Sequence, residues 1–405
     1  MKIVQINAVY EKYSTGRTTK ELHESLLSLG YESYIASPAL NGLNDQCFKI
    51  GNKLDRKVHA LLSRILGLQG YFSTCATSKL ISFLEDIHPD VIILRNLHGN
   101  YINVMQLLDY ISNKQIATVL VLHDCWFYTG KCVYYIEDNC YKWKEQCGNC
   151  PALKKGNTSL FFDRSSKMLT DKANVFKKMQ NKLAVIGVSK WVIDDVNKSI
   201  LKNAQIKKYI YNWIDLKLFK PDLKTSVFTE FNLPSKKIIL GVAMNWNKPK
   251  GIDVFNGLAD ILNDDYQIVL IGDLSVSVHE KIISVGTIKD PKKLADFFVA
   301  SYVFLNPSIQ ETFGKTTAEA MACGTPIIAY NGTAMPELIG TDGKCGILVN
   351  SQNPQEYKKA LEIIDNGNID LYKIACRSRA EKLFDKEKNI EEYLNVFGEL
   401  VNLGD

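Results

Sequence analysis

Short apolar runs of strand length alternate with amphipathic helical stretches from the first residue, and the alternation runs through the chain twice. Lys2–Asn7, Tyr34–Ser37, Val91–Leu94, Thr118–Leu122 and Leu183–Val188 read as buried strands. Thr18–Leu29 lies between two of them as a helix with Leu22, Leu26 and Leu27 on one face, and Lys190–Ser199 is another helix. After about Gln205 the pattern restarts, with strands at Ile238–Ala243, Gln267–Ile271, Ile282–Val285, Tyr302–Leu305 and Pro326–Ala329. Continuous apolar strands separated by helices point to parallel sheets covered on both faces. A chain of 405 residues also exceeds one ordinary core. The expected class is therefore α/β, with two consecutive doubly wound Rossmann-like domains over 1–208 and 209–375 and a hinge near Tyr211–Pro221. C-terminal helices, including Ile390–Leu403, fill 376–405.

Ligands of doubly wound sheets sit beyond the carboxyl ends of the strands. Gly16, His123, Gly272 and Glu311 each follow a predicted strand closely. The densest such segment is Asn306–Pro326, which holds Glu311 and Glu319. Glu311 lies in a polar, glycine-containing loop, and Glu319 lies about two turns into the following helix. A helix N-terminus offers unbonded N–H groups and a partial positive charge, so a phosphate can settle there. Two carboxylates on either side of it suit the hydroxyls of a sugar and a ribose. An isolated pair of this spacing would equally suit a solvated helix surface.

The motifs stand in a fixed order: Ser14-Thr15-Gly16-Arg17, Leu122-His123-Asp124, Tyr211-Asn212-Trp213-Ile214-Asp215, Lys250-Gly251, Leu270-Ile271-Gly272, the Glu311 to Glu319 E-x7-E run and Pro336-Glu337. This series resembles the retaining family-4 (group 1) glycosyltransferases, and the likeness extends over most of the chain. It implies the GT-B fold, in which the two domains face a central cleft and the last helix crosses back to the N-terminal domain. It implies a nucleotide-sugar donor, with UDP the expected base, and a glycan acceptor on a lipid-linked precursor of bacterial surface polysaccharide.

By the same resemblance His123, Glu311 and Lys250 are the catalytic candidates. His123 reaches the donor sugar, and Lys250 meets the diphosphate as it gains charge on leaving. Gly16 and Arg17 line the donor and acceptor beside the first helix. Ser14 or Thr15 could instead simply cap that helix. Gly286 and Ile288 contact the nucleobase, Thr312, Phe313, Gly314 and Lys315 offer backbone N–H groups, and Glu319 takes the ribose. Asp124 orients His123 or binds acceptor. One glycine of the family's first loop is absent, and Asn245 stands where the family has a second cation. Lys248 or Arg17 would replace it, although Lys248 also reads as an ordinary surface lysine.

No Asp-x-Asp motif occurs, so no catalytic metal is expected. Two rival readings remain: a nucleotide-sugar epimerase of the same fold, and a non-catalytic scaffold stabilised by zinc.

Cys132, Cys140, Cys147 and Cys150 cluster in an insert over about 130–155 that is similar to one found in capsule and exopolysaccharide (colanic-acid-type) transferases. Their Cys147-x-x-Cys150 end suits tetrahedral zinc, which would order a segment too polar to form its own core. Disulfides or four packed thiols are the alternatives. The net charge of +5 is uneven. Residues 151–208 hold 13 Lys or Arg against 4 Asp, which suits either an anionic membrane surface or a solvated face. Nucleic acid is disfavoured, because no aromatic platform interleaves the lysines. The opening residues read as a buried strand rather than a leader. The expected location is cytoplasmic, peripheral on the inner face of the plasma membrane.

Overall fold

The computed structural model describes residues 1–40, 45–222 and 225–402, and the chain divides into two compact units. The first comprises Met1–Ile210 together with the chain from Ile390 on; the second is Tyr211–Asn389.

The first unit carries β1 (Lys2–Ile6), β2 (Glu32–Ser37), β3 (Cys47–Lys49), β4 (Val91–Leu94), β5 (Ala117–Leu122), β6 (Leu183–Gly187) and β7 (Ile206–Tyr209). They form one sheet in the order β3-β2-β1-β4-β5-β6-β7, with every pairing parallel. The apolar runs of β1, β4, β5 and β6 sit in its middle, where both faces are covered. The sequence reading omits β3 and β7. Both are edge strands, and β7 (Ile-Lys-Lys-Tyr) carries two lysines and only one buried residue because its outer side meets water.

The second unit carries β8 (Lys237–Asn245), β9 (Tyr266–Asp273), β10 (Ile283–Ser284), β11 (Val303–Asn306), β12 (Ile327–Tyr330) and β13 (Gly346–Val349). Their order is β10-β9-β8-β11-β12-β13, again parallel. Part of its core lies between this sheet and the helices Ile252–Ile261 and Pro354–Asn366, where Phe255, Leu258, Tyr357 and Leu361 are fully buried against Ile239, Leu270 and Leu305. Two doubly wound parallel sheets are thus the architecture of this chain.

Two expectations need correction. The first helix begins at Tyr13 rather than Thr18. Ser14, Thr15, Gly16 and Arg17 are therefore its first turn and not a loop before it. Their polar run hides the start, and the turn is set by left-handed backbone at Glu11 and Tyr13 (φ 62° and 59°). Neither Ser14 nor Thr15 caps the helix; Lys12 occupies that position without a side-chain cap. The second unit also runs past residue 375. Arg377, in the helix Ile369–Leu383, donates to the carbonyls of Phe219 and Ala322 at 2.7 and 2.8 Å, which ties that helix to the second unit. The change of unit falls inside the last helix, Lys386–Asn402. Leu403 lies outside the described residues.

Candidate active site

Each sheet reverses its winding once, and a doubly wound sheet opens its ligand crevice at that reversal. In the second unit the reversal lies between β8 and β11. The loop after β8 turns through a short 3-10 segment, Lys248–Lys250, capped by Asn247, whose side chain accepts the Lys250 N–H at 3.1 Å. Gly251 follows in the left-handed region (φ 77°), and a Cβ there would run into Pro307. The two loops can therefore close on each other only with glycine at this position. The Ile309 N–H donates to the Pro249 carbonyl at 3.1 Å and fixes the approach. As a result Lys250 Nζ meets Glu311 Oε1 at 2.6 Å, with both side chains partly exposed.

The backbone N–H of Glu311 donates to Thr333 Oγ1 at 3.0 Å, and its carbonyl accepts the Ala334 N–H at 3.2 Å. Gly314 (φ 86°) abuts Met335 and opens the helix Lys315–Ala322 with no side-chain cap. Thr312 and Phe313 are buried, while Lys315 and Lys248 reach solvent in part or fully. Glu319 is 3 % exposed and lies about one turn into that helix rather than two, because the helix starts only at Lys315. Gly286 accepts the Gly272 N–H at 2.9 Å, and Ile288 follows it half-buried.

In the first unit the reversal lies between β1 and β4. Arg95, directly after β4, is fully buried. Its Nε donates to Gln5 Oε1 at 3.3 Å, its Nη1 lies 2.9 Å from His123 Nε2, and Tyr393 of the last helix stands beside it. Arginine has only donors, so His123 must accept at Nε2 and carry its proton on Nδ1. The imidazole is thereby held neutral in one tautomer. Asp124 points to a second histidine: His98 Nε2 is 2.8 Å from its Oδ2, Asn96 donates to the same oxygen at 3.2 Å, and the Trp126 N–H donates to Oδ1 at 2.9 Å. Burial pushes the Asp124 carboxyl up, but His98 and the Trp126 N–H outweigh it and hold it below its ordinary value. Burial likewise opposes charging of His98, and Asp124 overcomes this and raises it. Asp124 therefore orients His98, Asn96 and the local backbone, whereas Arg95 sets the tautomer of His123.

Residues 236–365 match the glycosyl transferases group 1 family. The chain carries a group 1 glycosyltransferase domain. It is 30 % identical over 198 residues to an uncharacterised 41.2 kDa protein of the cps region of Klebsiella pneumoniae, a match covering 47 % of this chain and 54 % of that relative. The chain thus spans about half the length of that curated relative. It is 23 % identical over 328 residues, 77 % of each chain, to an Escherichia coli K12 protein whose name, colanic acid biosynthesis glycosyl transferase WcaC, places it in polysaccharide synthesis. Among solved structures, Anabaena HepE in complex with UDP and glucose superposes with a TM-score of 0.66 at 14 % identity, over 98 % of this chain and 99 % of that one. That likeness bears on the fold.

Lys250 and Glu311, the reversal-point pair, both fall within the matched group 1 domain, as do Gly286, Ile288, Thr312, Phe313, Gly314, Lys315 and Glu319. Gly16, Arg17, His123 and Asp124 fall outside it. Arg95, Asn96 and His98 are absent from the sequence reading. The available signal was a charged residue directly after the wholly buried run Val91–Leu94.

The four cysteines of the insert line one small cavity together with Tyr135, Trp143 and Lys131. Among the described residues, however, no group of three or more Cys, His, Asp or Glu side chains is placed so that it could hold a metal ion. The insert is anchored by aromatic residues packed on the rest of the first unit. Trp143 packs on Tyr128 and Tyr135 at ring distances of 5.0 and 5.2 Å, and both tyrosine hydroxyls donate to Asp195 Oδ2. The buried Lys172 ammonium bonds the carbonyls of Trp126 and Thr129.

Proposed function

We propose that this chain is a retaining glycosyltransferase that moves a sugar from a UDP-linked donor to a glycan hydroxyl, on a lipid-linked precursor of a bacterial surface polysaccharide. The observation that carries this reading is the Lys250–Glu311 pair at a sheet reversal, beside an uncapped helix N-terminus, inside a group 1 domain. The HepE complex with UDP and glucose supports the donor, and the colanic acid name of the Escherichia coli relative supports the pathway class.

In this reading the diphosphate lies against the first turn of Lys315–Ala322, and Lys250 neutralises the charge that grows as the sugar–phosphate bond breaks. Glu311, already held by Lys250, accepts hydrogen bonds from the sugar hydroxyls and sets the orientation. Glu319 serves the ribose, and Gly286, Ile288, Thr312, Phe313, Gly314 and Lys315 frame the nucleotide. Lys248 supplies a second cation. The acceptor hydroxyl forms the new bond on the face the diphosphate leaves, and its proton passes to the departing phosphate oxygen. No carboxylate pair at glycosidase spacing is required. By the resemblance alone, His123 serves the donor sugar and Gly16 and Arg17, in the first turns of their helix, line the donor.

A zinc ion at Cys132, Cys140, Cys147 and Cys150 is a structural addition to this reading. Four thiols around one cavity are a suitable donor set. The sulfurs would have to swing together to reach coordination distance. Elemental analysis of the purified chain should find about one zinc per chain, falling in Cys147→Ser; equal metal content in both would reject it.

The test of function is turnover of UDP-sugars with and without a lipid-linked glycan. Acceptor-dependent release of UDP with retained anomeric configuration is the expected result. Isomerised UDP-sugar without acceptor would indicate an epimerase, and no turnover with any donor would favour a scaffold.

A further inference from the structure

The helix Lys53–Leu66 is inside out. It is well formed: Asn52 caps it by accepting the Leu54 and Asp55 N–H groups at 2.9 Å, and Gly67 closes it in the left-handed region. Its buried residues are His59 and Ser63, both polar. They dock it through hydrogen bonds: Gly70 N–H to His59 Nε2 at 3.2 Å, His59 Nδ1 to Ser73 Oγ at 2.8 Å, and Ser73 Oγ to Asp55 Oδ2 at 2.7 Å. The apolar stripe faces outward instead. Leu54, Val58 and Leu61, spaced i, i+4 and i+7, are 70, 48 and 57 % exposed.

A second exposed apolar segment adjoins it. The Leu160 N–H donates to the Arg64 carbonyl at 2.7 Å, and Gly67 lies against the Phe162 carbonyl, so Leu160-Phe161-Phe162 is laid on the end of the helix. Phe161 is 69 % exposed. Exposed large apolar side chains gathered in this way mark an interaction surface. Lys53, Lys57 and Arg64 run along one edge of the stripe, all exposed and, among the described residues, in no ion pair. Arg164 stands 5.4 Å from the Phe162 ring.

We propose that this face seats the protein on an anionic lipid bilayer, with Leu54, Val58, Leu61 and Phe161 entering the acyl boundary and Lys53, Lys57, Arg64 and Arg164 meeting the headgroups. An apolar stripe edged by cations is the pattern of a helix lying in the plane of a membrane surface. A second copy of the chain fits less well, because a two-fold contact would set the same basic edge against itself. No helix among the described residues is long and apolar enough to cross a membrane.

The site shares only the loop carrying Phe161 and Arg164 with the basic segment 151–208 singled out in the sequence. There Lys155 pairs with Asp138, Lys167 with Asp171 and Lys208 with Glu392, and Lys172 is buried. Those four charges are engaged within the first unit.

Co-sedimentation of the full chain with phosphatidylcholine vesicles, with and without phosphatidylglycerol, tests the proposal without any sugar substrate. Its failure is therefore separable from failure of the transferase reading. The wild type should partition onto the anionic vesicles and be released by salt. Lys57→Glu with Arg64→Glu should lower partitioning about 20-fold or more, and Leu61→Ser with Phe161→Ser about tenfold or more. Unchanged thermal midpoints would show that the folds are intact. A wild type that stays in the supernatant, or variants that sediment like it, would overturn the proposal. So would self-association abolished by Leu61→Ser in the absence of vesicle binding, which would assign the face to a second copy.

Discussion

The two sheet reversals of this molecule use the same topology and build opposite kinds of site. In the second unit, glycines at 251 and 314 let loops approach, and the result is a single ion pair, Lys250–Glu311, at the margin of solvent. In the first, the fully buried Arg95 holds Gln5 and His123, and a separate His98–Asp124 pair holds Asn96 and the Trp126 backbone. A margin pair can exchange its partner for a charged ligand at low cost. A buried network cannot, because each removed partner strands another polar group. The second unit is suited to binding and releasing an anion, and the first to holding one imidazole in one state.

That contrast can be broken in several places. Lys250→Ala should lower turnover by about 10²–10³-fold, the range for loss of one transition-state charge donor, and leave the urea midpoint almost unmoved. Arg95→Ala should do the reverse first, costing about 3 kcal/mol of stability by stranding buried partners, as read from urea denaturation. Gly251→Ala should cost about 1–3 kcal/mol and raise the KM for donor, because a Cβ meets Pro307 and the left-handed backbone is strained. Equal effects of Lys250→Ala and Arg95→Ala on stability would erase the distinction between the two reversals.

The smallest effect expected is on pH dependence. His98 is raised above its ordinary 6.5, so its contribution is complete below that pH and is lost as pH rises through the folded value. Asp124 is lowered below 3.8, so its contribution is lost only in strong acid. Urea midpoints should therefore decline on the alkaline side of 6.5 in the wild type, and His98→Gln should flatten that decline.

The second reversal was legible in the sequence because each half of it is one short motif, Lys250-Gly251 after one strand and Glu311 to Glu319 after another, although only the sheet brings Lys250 onto Glu311. The first was legible only in part. His123 and Asp124 follow a clear strand, but Arg95, Asn96 and His98 belong to a different strand, and only the sheet brings them together. Edge strands β3 and β7 were missed because water on one side removes the apolar run that reveals central strands. The helix Lys53–Leu66 shows a further limit. Periodicity reports that a helix has an apolar face, but only the packing of His59 and Ser63 reveals that this face points outward.

The central claim is that the Lys250–Glu311 reversal holds the diphosphate of a nucleotide sugar. Isothermal titration of UDP into the full chain, wild type against Lys250→Ala, tests it most directly. Saturable binding that weakens about tenfold or more in the variant, with the thermal midpoint kept, is the predicted result. Equal affinity in the two proteins, or no UDP binding by either, would contradict it.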